Sequence, residues 1–228
     1  MLKYSFMPTL KIMSINQIDL QSLSGKHVIL IPIRSFSESK SRLAKVLDPP
    51  ARTRFMVACA TTVIEAAGAT PIAIVTSDPD VREFAAHKDI LVIEDVGTGL
   101  NAAVQHAFNL LRQAGVSHLT IAHSDLPLAK DLSVLIKDGE FTIVPDRKYD
   151  GTNVMSLPTK DYFQFSYGPM SFRRHLKEAT RLNLKITVDE NPDLSVDIDT
   201  PQDYRELTVG QKFTNFDSSK SSGENRTR

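Results

Sequence analysis

The strongest constraint in this sequence is the alternation of two periods along the chain. Apolar runs of strand length occur at residues 27–33 (HVILIPI), 71–76 (PIAIVT), 90–93 (ILVI), 118–122 (HLTIA) and 141–144 (FTIV). The runs are continuously apolar rather than alternating, which suits strands covered on both faces. Between them the spacing becomes helical. Residues 51–67 put Phe55, Cys59, Thr62, Val63 and Ala66 on one stripe. Residues 100–114 do the same with Leu100, Ala103, Val104, Ala107 and Leu111, until Gly115 stops the helix. This succession predicts a three-layer α/β/α fold with a mostly parallel, Rossmann-like sheet.

After about residue 146 the rhythm changes. A short strand over 153–157, a helix near 171–180 and two further short apolar segments suggest antiparallel additions to the sheet. Thr200-Pro201-Gln202-Asp203 has the form of a capping box with proline at the first helical position, so a last helix starts there. Residues 1–24 lack sustained periodicity and are expected as a loosely attached extension; 209–228 are expected as a disordered tail. One domain over 25–208 remains.

Composition removes several function classes. The 27 basic and 27 acidic residues cancel, which gives no support to a nonspecific nucleic-acid binder. A single cysteine, Cys59, excludes a disulfide framework and a clustered-cysteine zinc site. No run approaches the ~20 apolar residues that span a bilayer, and the first 25 residues lack a secretory apolar stretch. A cytoplasmic protein without membrane partners is expected. The neutral sum is locally uneven. Between Arg34 and Arg54 six basic residues face two acids, a local +4, whereas Asp189 to Glu206 holds seven acids and one arginine, a local −6. That polarity suits a small, highly charged ligand.

In open α/β sheets ligands bind beyond the carboxyl ends of the strands, so the residues just after each run come first. The first run leads into Arg34, Ser35, Lys40 and Arg42, a loop able to lay cations and hydroxyls along a polyphosphate; it also suits a plain solvated basic loop. Gly97-Thr98-Gly99-Leu100-Asn101 opens a helix after the third run. It allows close backbone approach to a base or phosphate, and Gly97, Gly99 and Asn101 join the nucleotide-binding candidates. It also fits a dinucleotide fingerprint formally, but the ribose-binding acid about 20 residues on is missing. Asp125, straight off the fourth run, is a candidate hard-cation ligand or a helix N-cap. Asp197 and Asp199 share one side of an extended segment, although Asp199 could simply begin the next turn. Three aspartates at strand ends opposite a basic loop would build a metal–nucleotide site. Gly168 and Ser171 stand at a helix start whose free N–H groups would form an anion site, with Thr152 adding a hydroxyl. The same residues suit a plain capped helix. The six histidines show no metal-ligand spacing; His123 and His175 fall close enough to these blocks to line the site.

Six blocks now stand in order: PIRSFSESKSRLAKVL, GTGLNAA, HSDLPL, PDRKYDGTN, FSYGPMSFRRHL and VDIDTPQDY. Over residues 26–208 they resemble the CofC/FbiD guanylyltransferases of coenzyme F-420 biosynthesis. The resemblance implies a nucleotidyltransferase fold related to molybdopterin guanylyltransferases and nucleotide-diphospho-sugar transferases. It also implies transfer of GMP from GTP, with Mg²⁺ or Mn²⁺, onto 2-phospho-L-lactate, phosphoenolpyruvate or 3-phospho-D-glycerate. By matching position, Thr152, Gly168 and Ser171 would hold the acceptor, and Asp125, Asp197 and Asp199 the metal. Lys40 and Arg42 match the triphosphate loop and, with Asp125, would carry the catalysis. A hand-over of product to the downstream transferase of the coenzyme pathway is a further implied partnership. One departure is Met170, where the family often has a second glycine; it would reshape the acceptor pocket.

The acceptor phosphate, with a second pKa of about 6, can attack the α-phosphorus without a serine, cysteine or strong base. Positioning and charge neutralisation would then carry the reaction. Other readings are a nucleotidyltransferase of the same fold using another base or a sugar phosphate, and a nicotinamide-binding Rossmann protein. A noncatalytic nucleotide-binding regulator is a third, set against by the presence of all three aspartates.

Overall fold

The computed structural model describes residues 20–38 and 40–209. Seven strands form one sheet: β1 (His27–Pro32), β2 (Ile72–Thr76), β3 (Leu91–Glu94), β4 (His118–Ala122), β5 (Glu140–Pro145), β6 (Thr152–Pro158) and β7 (Lys185–Val188). Among the described residues these α-helices accompany them: α1 (Pro49–Ala66), α2 (Pro79–Ala86), α3 (Leu100–Gln113), α4 (Ser171–Arg181) and α5 (Pro201–Val209). The strand order is β3-β2-β1-β4-β6-β5-β7. From β3 to β4 all neighbours are parallel, and β6 runs antiparallel to both β4 and β5. The last strand, β7, pairs parallel with β5, whereas the sequence suggested only antiparallel additions. The helix α4 lies between β6 and β7 in the chain and supplies the crossover such pairing requires.

The continuous apolar runs are explained by two cores, one on each face. Ile29 and Ile31 of β1 belong to the cluster packed by α1, and Val28 and Leu30 to the cluster packed by α3 and α4. All four are fully buried, so truncating any of them to alanine should cost about 2–5 kcal/mol. The second cluster also takes in Leu20 and Leu23. These lie within the 1–24 segment expected as an extension; residues 1–19 and 210–228 lie outside the described residues.

Three helices begin on a side-chain cap. Asp48 accepts from the Ala51 N–H at 2.7 Å, and Asp78 from the Val81 N–H at 3.0 Å. Thr200 and Asp203 exchange bonds as the capping box predicts, with Asp203 accepting from the Thr200 N–H at 2.8 Å. Gly99 before α3 and Met170 before α4 provide no side-chain cap. Among the described residues no helix is long and apolar enough to cross a membrane.

Candidate functional site

The chain runs outward from β1 to β3, then returns to place β4 on the other flank of β1. A crevice opens where the order reverses, beyond the carboxyl ends of these parallel strands. It has a volume of about 700 Å³ and is lined by Arg34 beyond β1, Ser77 beyond β2, Asp95 beyond β3 and Asp125 beyond β4. The turn from Gly97 to Leu100 forms one wall, so the uncapped N-terminus of α3 lies at the cleft. The two glycines serve different needs. Gly99 has φ +110°, and a Cβ on Gly97 would stand 2.5 Å from the Ala102 Cβ.

Lys40 reaches the same crevice from a left-handed backbone position (φ 55°) that starts a short 3₁₀ turn. Its ammonium bridges Asp125 Oδ2 and Asp199 Oδ1. Burial alone would lower the Lys40 pKa, but the two carboxylates outweigh it and hold the ammonium charged. For Asp125 burial opposes ionisation, and Lys40 overcomes it, keeping the carboxyl below the usual range. Among the described residues Asp197 has no such ion pair. Burial, then the charges of Asp125 and Asp199, push its pKa up to about 6. The three aspartates therefore share one electrostatic neighbourhood. Among the described residues, however, no three His, Cys, Asp or Glu side chains are arranged to hold a metal as they stand. Their all-oxygen donors suit a hard divalent cation, and Asp125 Oδ1 is buried without a hydrogen-bond partner. The donor set fits Mg²⁺, with Lys40 now supplying the positive charge between two of its members.

Of the other nucleotide-binding candidates, Arg34, Gly97 and Gly99 line the crevice, whereas Ser35, Arg42 and Asn101 do not. Ser35 is turned into its own loop, 3.2 Å from Ser37 Oγ and accepting from the Glu38 N–H at 3.4 Å. Arg42 is exposed, because the 3₁₀ turn is anchored by its neighbour Leu43, which points into the core. Asn101 spends both ends of its amide on one backbone unit. Its Nδ2 donates to the Tyr167 carbonyl at 3.2 Å, and its Oδ1 accepts from the Tyr167 N–H at 2.6 Å. One turn on, Gln105 donates to the Phe163 carbonyl (3.1 Å) and accepts from the Phe165 N–H (3.2 Å). Asn101 thus holds the segment leading to Gly168 and Ser171.

Thr152, Gly168 and Ser171 do gather at the start of α4. Thr152 and Ser171 are buried, with their hydroxyls 3.4 Å apart. The free N–H groups expected there are largely spent. The Ser171 N–H donates to the Gly168 carbonyl at 3.0 Å and the Phe172 N–H to the Asp150 carbonyl at 3.1 Å. The Met170 N–H donates to Asp150 Oδ1 at 3.0 Å. Met170 itself adopts φ 60°, which explains why glycine would suit this position, and its side chain is 49% exposed. His123 lines the crevice, its ring 5.3 Å from Tyr167, whose ring lies 4.9 Å from His175. His175 is wholly buried and stands behind Thr152 rather than in the crevice. Asp95 and Ser77 were not singled out from the sequence. The signal was their position just past a strand, and Asp95 Oδ1 accepts from the Gly97 N–H at 2.9 Å to shape the turn.

A family model described as "Guanylyl transferase CofC like" matches residues 27–217. The chain is 32% identical over 187 residues to a phosphoenolpyruvate guanylyltransferase of Rubrobacter xylanophilus, covering 78% of this chain and 91% of that one. It is 30% identical over 190 residues to a 2-phospho-L-lactate guanylyltransferase of Methanocaldococcus jannaschii, covering 81% and 83%. Among solved structures it resembles a nucleotidyl transferase from Methanothermobacter, with TM-score 0.59 and 15% identity over 82% of this chain and 98% of that one. At that identity the likeness speaks for the fold, an α/β nucleotidyltransferase architecture.

Proposed function

The chain belongs to the CofC-like guanylyl transferase family, and from that membership we propose that it transfers GMP from GTP to a three-carbon phosphorylated acid, a step of coenzyme F-420 biosynthesis. The observation that carries this reading is the crevice at the switch point. It pairs a lysine–carboxylate cluster with the uncapped start of a helix, in a volume suited to a nucleotide.

The acceptor's phosphate oxygen attacks the α-phosphorus of GTP. A new P–O bond forms, the bond to the β-phosphate oxygen breaks, and pyrophosphate leaves with the electron pair. The chain's part is to align the two substrates and to neutralise charge on the leaving group. Lys40 and Arg34 supply cations beside the crevice, and the N–H groups opening α3 face an approaching phosphate or base. Thr152 and Ser171 receive the acceptor. Asp125, Asp197 and Asp199 would hold Mg²⁺, which would supply Lewis-acid stabilisation of the phosphate charges. With those carboxylates holding a cation, the Lys40 ammonium that now pairs with Asp125 and Asp199 would be left to pair with the triphosphate. On this reading the enzyme works in the cytoplasm and its activated product passes to a downstream transferase.

The nicotinamide reading loses ground because the glycine turn follows β3, the edge strand, and not the central β1. A matrix of the four nucleoside triphosphates against phosphoenolpyruvate, 2-phospho-L-lactate and 3-phospho-D-glycerate, read by pyrophosphate release, tests the proposal. Release with GTP and one of the acids supports it. Release with another triphosphate alone would move the assignment to another base, and release in no combination would overturn it.

A further inference from the structure

The Met170, Ser171 and Phe172 N–H groups at the start of α4 are committed to Gly168 and Asp150, so recognition of an anion there falls mainly to a side-chain hydroxyl. A hydroxyl can donate or accept, and its polarity is set by its neighbours. Behind Thr152 lies His175, wholly buried and packed by Tyr167. Its Nε2 lies 2.9 Å from the Ser166 backbone nitrogen. A backbone N–H can only donate, so Nε2 must accept and carries no proton. Burial, followed by the nearby His123 and Arg174, pulls the ring's pKa down to about 3, so the ring is neutral. Its single proton therefore sits on Nδ1, 3.0 Å from Thr152 Oγ1. That oxygen accepts from His175, and Ser171 Oγ donates to it as well at 3.4 Å. With both lone pairs engaged, the Thr152 hydroxyl has only its proton to offer.

We propose that His175 is a positioning residue for acceptor recognition: by presenting Nδ1–H to Thr152 it makes the Thr152 hydroxyl an obligate donor to the acceptor's oxyanion. This rests on the acceptor role of Thr152 given above, and it adds a residue that never touches the substrate. It also explains why a neutral, fully bonded histidine occupies the core beside a charged crevice. The Ser166 N–H fixes the ring and the ring fixes the hydroxyl. An anion then meets a hydroxyl that can only donate.

The first test is independent of turnover. Long-range ¹H–¹⁵N correlation spectra of the full chain labelled with ¹⁵N-histidine report which ring nitrogen of each histidine carries the proton. His175, identified by its loss from the spectrum of H175N, should show protonated Nδ1 and bare Nε2. Protonated Nε2, or exchange between the two forms, overturns the proposal. The second test is kinetic. In H175Q the amide reaches the Nε2 position and can still accept from Ser166, but Thr152 loses its donor. In H175N the amide reaches the Nδ1 position and keeps that donor. H175Q should raise the KM for the acid about ten-fold and leave that for GTP within about two-fold, with H175N restoring most of the loss. In T152V, adding H175Q should cost nothing further. Equal KM values for the two His175 variants, or a loss shared equally by GTP, would reduce His175 to a packing residue. If no acid is turned over by the unaltered protein, the proposed function fails, and the tautomer measurement still decides what His175 does to Thr152.

Discussion

The two ends of the site solve opposite problems. At the crevice, charges are brought together before their ligands: Asp125 and Asp199 share the Lys40 ammonium, Asp197 feels both carboxylates, and Asp125 Oδ1 and His123 Nε2 are buried without partners among the described residues. At the start of α4 the buried groups are neutral: the hydroxyls and the imidazole are bonded to one another, and the helix N–H groups to Gly168 and Asp150. The first end is held at an electrostatic cost that a cation and a polyphosphate would relieve. The second is already bonded internally without a ligand. Substitutions should therefore change activity and stability in different proportions at the two ends.

The largest effect is expected at Asp125. Asp125→Asn should lower the rate of pyrophosphate release about a thousand-fold while leaving the KM for the acid nearly unchanged. Undiminished release would remove Asp125 from the charged centre and erase the contrast. Next comes Gly97→Ala, whose Cβ would meet that of Ala102 at 2.5 Å and the Ala102 carbonyl carbon at 3.1 Å. The turn has to shift, so thermal denaturation should show a loss of about 1–3 kcal/mol, with a raised KM for GTP.

Asp197→Asn should go the other way in stability. The folded pKa of Asp197, about 6, lies above its ordinary value of 3.8, so this group favours the fold while protonated. That contribution is complete at low pH and is lost as pH rises through about 6. Above about pH 7 the metal-free Asp197→Asn protein should be the more stable by about 1 kcal/mol, after allowance for solvent screening, although it turns over slowly. Melting curves across pH check the sign, and a difference independent of pH would contradict it. The smallest effect belongs to the neutral end. Met170→Gly relieves a left-handed backbone at an exposed position, and denaturant titration should show a gain below about 1 kcal/mol. A changed preference among the three acids in this variant would show that the Met170 side chain shapes the pocket.

The elements with strong periodicity were legible in the sequence. Runs at 27–33 and 118–122 became β1 and β4, and the stripes at 51–67 and 100–114 became α1 and α3. The helix α2 went unread because its eight residues hold only two buried side chains, Val81 and Ala85, although Asp78-Pro79 carries the same cap-and-proline signal as Thr200-Pro201. The parallel pairing of β7 was invisible because its four residues are largely exposed and offer no buried run. The crevice lining was readable wherever a residue directly follows a strand, as with Arg34 and Asp125. The local sequence could not show that Asn101 spends its amide on Tyr167, or that the Ser171 and Phe172 N–H groups are taken by the Gly168 and Asp150 carbonyls. His175 shows the same limit: its role depends on Ser166 and Thr152 meeting one ring, a juxtaposition made only by tertiary packing.

The amide pair on α3 works as a ruler. Four helical residues advance about 6.0 Å and two extended residues about 6.6 Å, so side chains four apart can keep step with a strand. Asn101 grips Tyr167 and Gln105 grips Phe165 on that near-match, giving the segment the pairing of a sheet without a neighbouring strand. The mismatch accumulates with every rung, which limits such a grip to a short span. Loop length should therefore be held tightly between Phe163 and Tyr167, where one inserted residue would put the whole segment out of step with its helix.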